Sequence, residues 1–193
     1  MNKFKKILCS VVAAIGVLAG GSVAIESTVP VGQVVIAGEK IATVKTSPAG
    51  FALMGNAEGC RLDPYKCPAG LVTNGIGNTH GVPERPIDIT QVAKDWAVNV
   101  EQTEQCLINI APKDNPMTQG QQDAFTSFVF NIGCTRFLKN KDGTSTQIAR
   151  LINQGEYVQA CGQLKRWVYG GGKKLQGLVT RRGNEYDRCM AVD

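Results

Sequence analysis

Side chains able to do chemistry crowd into one stretch, Glu58-Gly59-Cys60-Arg61-Leu62-Asp63-Pro64-Tyr65-Lys66-Cys67, with Thr73 and His80 close behind. Carboxylates, thiols and a hydroxyl at such spacing suit general acid–base work, nucleophilic attack or disulfide formation. Neither a metal nor a cofactor is expected. The seven cysteines include no CxxC pair and His80 is the sole histidine, which is not a zinc-ligand pattern. A cysteine–histidine nucleophile would rest on His80 alone, and this residue reads as structural within its loop. Glu58 falls at the end of a helical stretch beside glycine, a position from which a carboxyl can act as a general acid. Taken by itself it reads more readily as a surface glutamate. Asp63, which precedes Pro64, reads as a turn residue.

These groups need elements to hold them. Ser47-Pro48 opens a helix toward Glu58, with Ser47 as N-cap and Pro48 at the first helical position. Asn74-Gly75 between Val72 and Ile76 is a hairpin signal. Ala93, Trp96, Val100, Thr103, Leu107 and Ile110 mark one face of a long helix that stops near Pro112. Thr118 and Gln121 form a capping box for a helix carrying Phe125, Phe128, Val129 and Ile132, and Gly133 ends it. Further helices are expected over Ile148, Leu151 and Ile152 to Gly155, over Val158, Leu164 and Trp167 to the Gly170-Gly171-Gly172 run, and from Leu175 to Cys189. The class is α+β, mainly α.

The 193 residues are 43% hydrophobic and fit about one domain. The net charge of +5 falls to 18 basic against 16 acidic residues once Lys3, Lys5 and Lys6 are set aside. Without a strong basic stripe, no nucleic-acid partner is expected. Those lysines precede an uncharged run, residues 7–25, which as a helix would span about 28 Å, close to the ~30 Å hydrocarbon core. Basic residues before such a run place the N-terminus in the cytoplasm and export the remainder. Ser22-Val23-Ala24 fits a signal-peptidase site, whereas the small residues of the run also suit a weakly held membrane anchor. Export into an oxidising space accounts for the cysteines. Residues 26–46 read as a linker with a short strand near Gln33 to Ile36, and the folded domain occupies 47–193.

Glu58, eight residues, Cys67, five residues and then Thr73 within Thr73-Asn74-Gly75-Ile76-Gly77 form a pattern that resembles the phage-type lysozymes, glycoside hydrolase family 24. Asn131-Ile132-Gly133, Arg166-Trp167 and Gly177-Leu178-Val179-Thr180-Arg181-Arg182 extend the resemblance over residues 47–190. It implies a lysozyme-like fold, with a small N-terminal lobe bearing a short β-hairpin and a larger helical C-terminal lobe. It also implies cleavage of the β-1,4 bond between N-acetylmuramic acid and N-acetylglucosamine in peptidoglycan. Glu58 would protonate the glycosidic oxygen and Thr73 would hold the attacking water. Many family members carry aspartate where this chain has Cys67. Cys67 would therefore stabilise the oxocarbenium-like centre, attack it, or orient water. Asn131, Trp167 and Arg182 would bind substrate, and Arg181 with Arg182 would reach acidic peptide stems. A lytic transglycosylase and a non-catalytic peptidoglycan-binding protein are the alternatives.

Six residues separate Cys60 from Cys67, and the Asp63-Pro64 turn lets the two form a disulfide that would consume the catalytic thiol. Cys9, shielded within a bilayer, is unreactive there. On leaving the membrane it could attack Cys60 and release Cys67. This arrangement resembles the signal-anchor-release endolysins, which are exported tethered and inactive. The resemblance implies an uncleaved membrane segment over residues 7–25, with the catalytic domain in the periplasm of a Gram-negative host and soluble after release. The chain is expected to be a monomer. Cys106, Cys134, Cys161 and Cys189 allow three pairings, and proximity in sequence favours Cys106–Cys134 with Cys161–Cys189.

Overall fold

The computed structural model describes residues 6–20, 32–67 and 70–191. Its chain divides into two compact units, one of Met1–Val44 with Met54–Glu101 and the other of Lys45–Leu53 with Gln102–Asp193. Among the described residues the fold is α+β and mainly helical, as expected.

In the first unit, Ser10 starts α1 (Val11–Gly20), its hydroxyl accepting the Ala13 N–H at 3.2 Å. The uncharged run expected to continue as one helix over 7–25 is thus only partly helical. Residues 7–9 are extended, α1 has 10 residues, and positions 21–25 lie outside the described residues. No helix among the described residues is long and apolar enough to cross a membrane. Instead α1 buries Ala14 and Leu18 in protein. Apolar residues gain as much from a protein core as from lipid, so the same run suits either setting.

The expected linker is corrected over its described part. β1 (Gly32–Ile36) and β2 (Glu39–Val44) form an antiparallel hairpin that buries Val34, Ile36, Ala42 and Val44. Its turn is Ala37-Gly38, both at positive φ, and alanine there conceals a turn that Asn-Gly would advertise. α2 (Pro48–Glu58) begins after Ser47, whose hydroxyl accepts the Gly50 N–H at 3.2 Å. β3 (Arg61–Lys66) and β4 (Val72–Gly75) form a second antiparallel pair. The Asn74-Gly75 signal marks the turn after β4, where Asn74 and Asn78 exchange backbone hydrogen bonds at 3.0 Å.

α3 (Ile89–Ile108) buries Ala93, Trp96, Val100 and Leu107 as its periodicity requires, while Ile110 falls beyond its end. α4 (Gln119–Ile132) carries the complete Thr118–Gln121 capping box, and Gly133 ends it at φ 83°. Phe125, Phe128 and Val129 from α4 form the centre of the second unit's core. α5 (Cys134–Leu138), α6 (Gln147–Asn153) and α7 (Tyr157–Leu164) contribute Phe137, Ile152 and Leu164 to that core. Val158 does not join them. It is exposed, and Tyr157, Ala160 and Cys161 face inward in its place. The triple glycine makes the turn between two short strands, β5 (Tyr169–Gly170) and β6 (Lys173–Lys174), before α8 (Gln176–Met190).

Disulfides join Cys106 to Cys134 and Cys161 to Cys189, as proximity suggested. Thr118→Ala should lower stability by about 1 kcal/mol through loss of the cap, read as a lower urea midpoint with an unchanged slope.

Candidate active site

Helix α2 stops at Glu58 because Gly59 takes φ +74°, a left-handed turn that glycine adopts without strain, while its N–H still donates to the Gly55 carbonyl at 2.9 Å. The chain reverses there into β3, leaving Glu58 half-buried one turn beyond the fully buried Met54. Cys67 follows β3 directly. Its N–H donates to the Leu71 carbonyl at 2.9 Å and its own carbonyl accepts from Gly70 at 2.8 Å. Across the pair, Tyr65 lies opposite Thr73 and Lys66 opposite Val72. Thr73 is buried, and its hydroxyl donates to the Leu71 carbonyl at 3.1 Å, leaving the oxygen able to accept from water.

Tyr65 reports how close these groups lie. Its phenol is pushed above the ordinary value, first by burial and next by the charge of Glu58, with Cys67 and Asp63 adding to it and Arg61 opposing. The Arg61 guanidinium lies 4.3 Å above the Tyr65 ring. Tyr65 thus feels the charge of Glu58 and of Cys67 and lies opposite Thr73 on the hairpin, all within the first unit.

A polar network holds the end of β4. Asn78 Nδ2 donates to Asn74 Oδ1 and to the His80 carbonyl, each at 3.0 Å, and Asn99 donates to Asn78 Oδ1 at 3.1 Å. Asp95 closes this network, and burial raises its pKa. The His80 side chain is exposed while its backbone serves Asn78, in keeping with a structural role. None of Asn78, Asp95 and Asn99 was singled out from the sequence, since their partners lie as many as 21 positions away.

Cys9 is bonded to Cys60, and Cys67 is a half-buried thiol. Asp63 is not aimed at a substrate. It is fully buried and paired with Arg61, and its Oδ1 accepts the Ile7 N–H at 2.7 Å. The Arg61 hydrogen bond, with help from the Ile7 N–H, holds its carboxyl below the usual aspartate range.

The residues expected to bind substrate lie in the second unit. Arg182 is 1% exposed and turned inward, paired with Glu185, donating to the Asn131 carboxamide oxygen and, at 3.2 Å, to the Trp167 carbonyl. Arg181 is 7% exposed and bonds Glu185 at 3.0 Å and the Ser127 carbonyl at 3.1 Å. Both were expected to reach peptide stems. Their guanidinium groups neutralise the fully buried Glu185 instead, because a lone carboxylate there would be costly. Asn131 is half-buried, and Trp167 packs edge-on against Phe128 with ring centres 5.2 Å apart. Trp167 also lines an open pocket of about 410 Å³ with Asn140, Gln147, Arg150, Gln163 and Arg166.

A glutamate closing a helix, a two-stranded hairpin carrying a second and third polar group, and a helical unit built on an aromatic helix together make the lysozyme-like architecture of a glycoside hydrolase. The Phage lysozyme family profile matches residues 55–185, and the chain belongs to that family. It is similar to the SAR-endolysin of Escherichia phage P1, at 42% identity over 154 residues, covering 76% of this chain and 82% of that one. The crystal structure of the active form of P1 phage endolysin Lyz aligns with a TM-score of 0.75 at 34% identity, covering 95% of each chain. The secreted inactive form of the same endolysin aligns with a TM-score of 0.53 at 37% identity, over 75% of this chain and 95% of that one.

The depressed Asp63 value sets a direction with pH. Its folded-state pKa lies below the unfolded one, so its stabilisation is present above the ordinary aspartate range, about 4, and is lost as pH falls through the lowered value. The Ile7 amide resonance should hold its position down through about pH 4 and move only below it. A midpoint at the ordinary aspartate value would contradict the pairing.

Proposed function

We propose that this protein is an endolysin, a muramidase that hydrolyses the β-1,4 N-acetylmuramic acid–N-acetylglucosamine bond of peptidoglycan for host cell lysis. It is exported tethered and inactive to the inner membrane of a Gram-negative host through residues 7–25. Its catalytic domain stands in the periplasm, and it becomes a soluble periplasmic monomer on release. The observation that carries this reading is the Cys9–Cys60 bond in a structure where Cys67 is a thiol. A cysteine of the apolar N-terminal segment can reach Cys60 only when that segment is outside a bilayer. The greater similarity to the active form of the P1 endolysin than to its inactive form, by TM-score 0.75 against 0.53, supports the same assignment.

Glu58 protonates the glycosidic oxygen as the bond to the leaving sugar breaks. Thr73, whose hydroxyl proton is spent on the Leu71 carbonyl, accepts a hydrogen bond from the water that attacks the sugar carbon. Cys67 serves the oxocarbenium-like centre as stabiliser, as nucleophile or by orienting that water, and a thioglycoside trapped on its sulfur would single out the nucleophile. A second catalytic carboxylate is not needed from Asp63, which is committed to Arg61 and Ile7. Asn131 and Trp167 bind substrate, while Arg182 positions Asn131 from behind.

Glu58→Gln should reduce muramidase activity by about 10²–10⁴-fold with little change in melting temperature. Released sugars should carry reducing ends, whereas anhydro ends would mark a lytic transglycosylase. Cys9→Ser should leave the exported protein inactive, and Cys60→Ser should make it active before release. An active Cys9→Ser protein with Cys60 intact would sink the disulfide switch.

A further inference from the structure

Beside the site, residues 7–9 add to the free edge at the start of β3 as a third antiparallel segment. The Leu62 N–H donates to the Ile7 carbonyl at 2.9 Å, Leu8 lies opposite Arg61, and the Cys9 N–H donates to the Cys60 carbonyl at 3.2 Å. This register sets Cys9 directly across from Cys60. One bond of the ladder is diverted. In a regular ladder the Ile7 N–H would donate to the Leu62 carbonyl, but that carbonyl accepts the Ile87 N–H at 3.1 Å. The Ile7 N–H donates to Asp63 Oδ1 at 2.7 Å instead. Asp63 is fully buried and held by Arg61, whose Nε donates to Oδ1 at 3.1 Å. Pro64 follows with no N–H, so the ladder cannot run on past this point.

We propose that Asp63, braced by Arg61, is the residue that selects Cys60 over Cys67 as the partner Cys9 keeps during activation. The inference rests on the disulfide switch of the proposed function and assigns its specificity. In a Cys60–Cys67 disulfide the two sulfurs are about 2 Å apart, so proximity alone scarcely distinguishes them. Attack on Cys60 frees the thiol that serves the site, whereas attack on Cys67 buries it in a new bond. The extended strand β3 separates Cys60 from Cys67 in this structure, so the ladder of residues 7–9 forms as those two cysteines part, and its register stabilises the Cys9–Cys60 product. A slip of one residue would turn the Cys9 side chain to the opposite face. The charged clasp on Ile7 is the bond that penalises such a slip, because the slip costs Asp63 one of its donors and leaves the Ile7 N–H without its acceptor.

The step balances without an outside oxidant or reductant. Cys9 loses its proton to solvent, and its sulfur electron pair forms a bond to Cys60 Sγ. The Cys60–Cys67 bond breaks, and its electron pair leaves on Cys67, which takes a proton from solvent. A segment held on the β3 edge in another register would set a different residue across from Cys60.

The test maps disulfides in the full-length wild type, Asp63→Ala and Ile7→Pro after acid quenching, first during release from membranes and separately during reoxidation of the reduced chain in glutathione buffer. Ile7→Pro removes the N–H that Asp63 accepts, along with the isoleucine side chain, and leaves both members of the Asp63–Arg61 pair in place, so a folding defect of Asp63→Ala does not decide the matter. The wild type should give Cys9–Cys60 almost alone. In both variants the ratio of Cys9–Cys67 to Cys9–Cys60 should rise about tenfold or more, with a matching fall in the yield of active enzyme. Ratios equal to wild type in Ile7→Pro would overturn the inference, whether or not Asp63→Ala folds. If membrane-bound wild type lacks the Cys60–Cys67 bond, the proposed switch itself fails. The reoxidation samples still judge the clasp in that case: an altered ratio upholds it and an unchanged ratio overturns it.

Discussion

The antiparallel docking of residues 7–9 along the start of β3 is the constraint on which the first unit depends. It sets Cys9 opposite Cys60 and leads Ser10 into its cap on α1, and Cys67 is a thiol in the same structure. Beyond the cap, Val11 meets α2 at Gly55. A methyl on Gly55 would stand 2.3 Å from Val11 and 3.0 Å from Trp96, so only glycine admits the segment there. Gly55 lies within the last turn before Glu58. The N-terminal segment therefore packs on the same helix end that carries Glu58, and its covalent bond is to the cysteine two residues further along.

Buried carboxylates organise both units, each satisfied by donors close at hand. Glu104 accepts from the Lys45 N–H, the Thr46 N–H and the Thr46 hydroxyl between 2.6 and 2.8 Å. Burial nevertheless holds its pKa above the ordinary value. Asp123 takes the Ser47 N–H at 2.8 Å, the Ser47 hydroxyl at 2.5 Å and the Arg188 guanidinium at 2.8 Å. It lies so close to α2 that a methyl on Gly50 would meet its Oδ1 at 2.6 Å. Glu185 holds two arginines, one of which steadies Asn131. Such groups are worth less as stabilisers than as selectors of a single packing, because each alternative strands a charge without its donors.

What could be read from the sequence was local in origin. The Thr118–Gln121 capping box, the Gly133 stop, the α3 stripe and the hairpin after Glu58 all arise from residues within a few positions of each other. Glu58, Cys67 and Thr73 were singled out as a set by the resemblance to the phage-type lysozymes, and one helix end and one hairpin carry them. What stayed hidden depends on distant partners or on a disguised turn. Asp63 looked like a turn residue because its donor, Ile7, is 56 positions away. Arg182 looked available to substrate because nothing local shows that Asn131, 51 positions earlier, would take its guanidinium. The strand expected near Gln33 to Ile36 is β1, but its turn and partner β2 were missed because alanine occupies a positive-φ position where asparagine or glycine is the usual signal.

The N-terminal run shows the same limit from another side. Its hydropathy fits a bilayer, yet Ala14 and Leu18 are as well buried in protein, and composition cannot tell the two solvents apart. The central claim, that leaving one for the other exchanges the Cys67 bond for the Cys67 thiol, is tested most directly by disulfide mapping on membrane-bound and released wild-type protein, with muramidase activity read on the same samples. The account predicts Cys60–Cys67 with no activity in the bound sample, and Cys9–Cys60 with an alkylatable Cys67 and full activity in the released one. Identical pairings in the two samples, or activity from a protein that retains Cys60–Cys67, would contradict it.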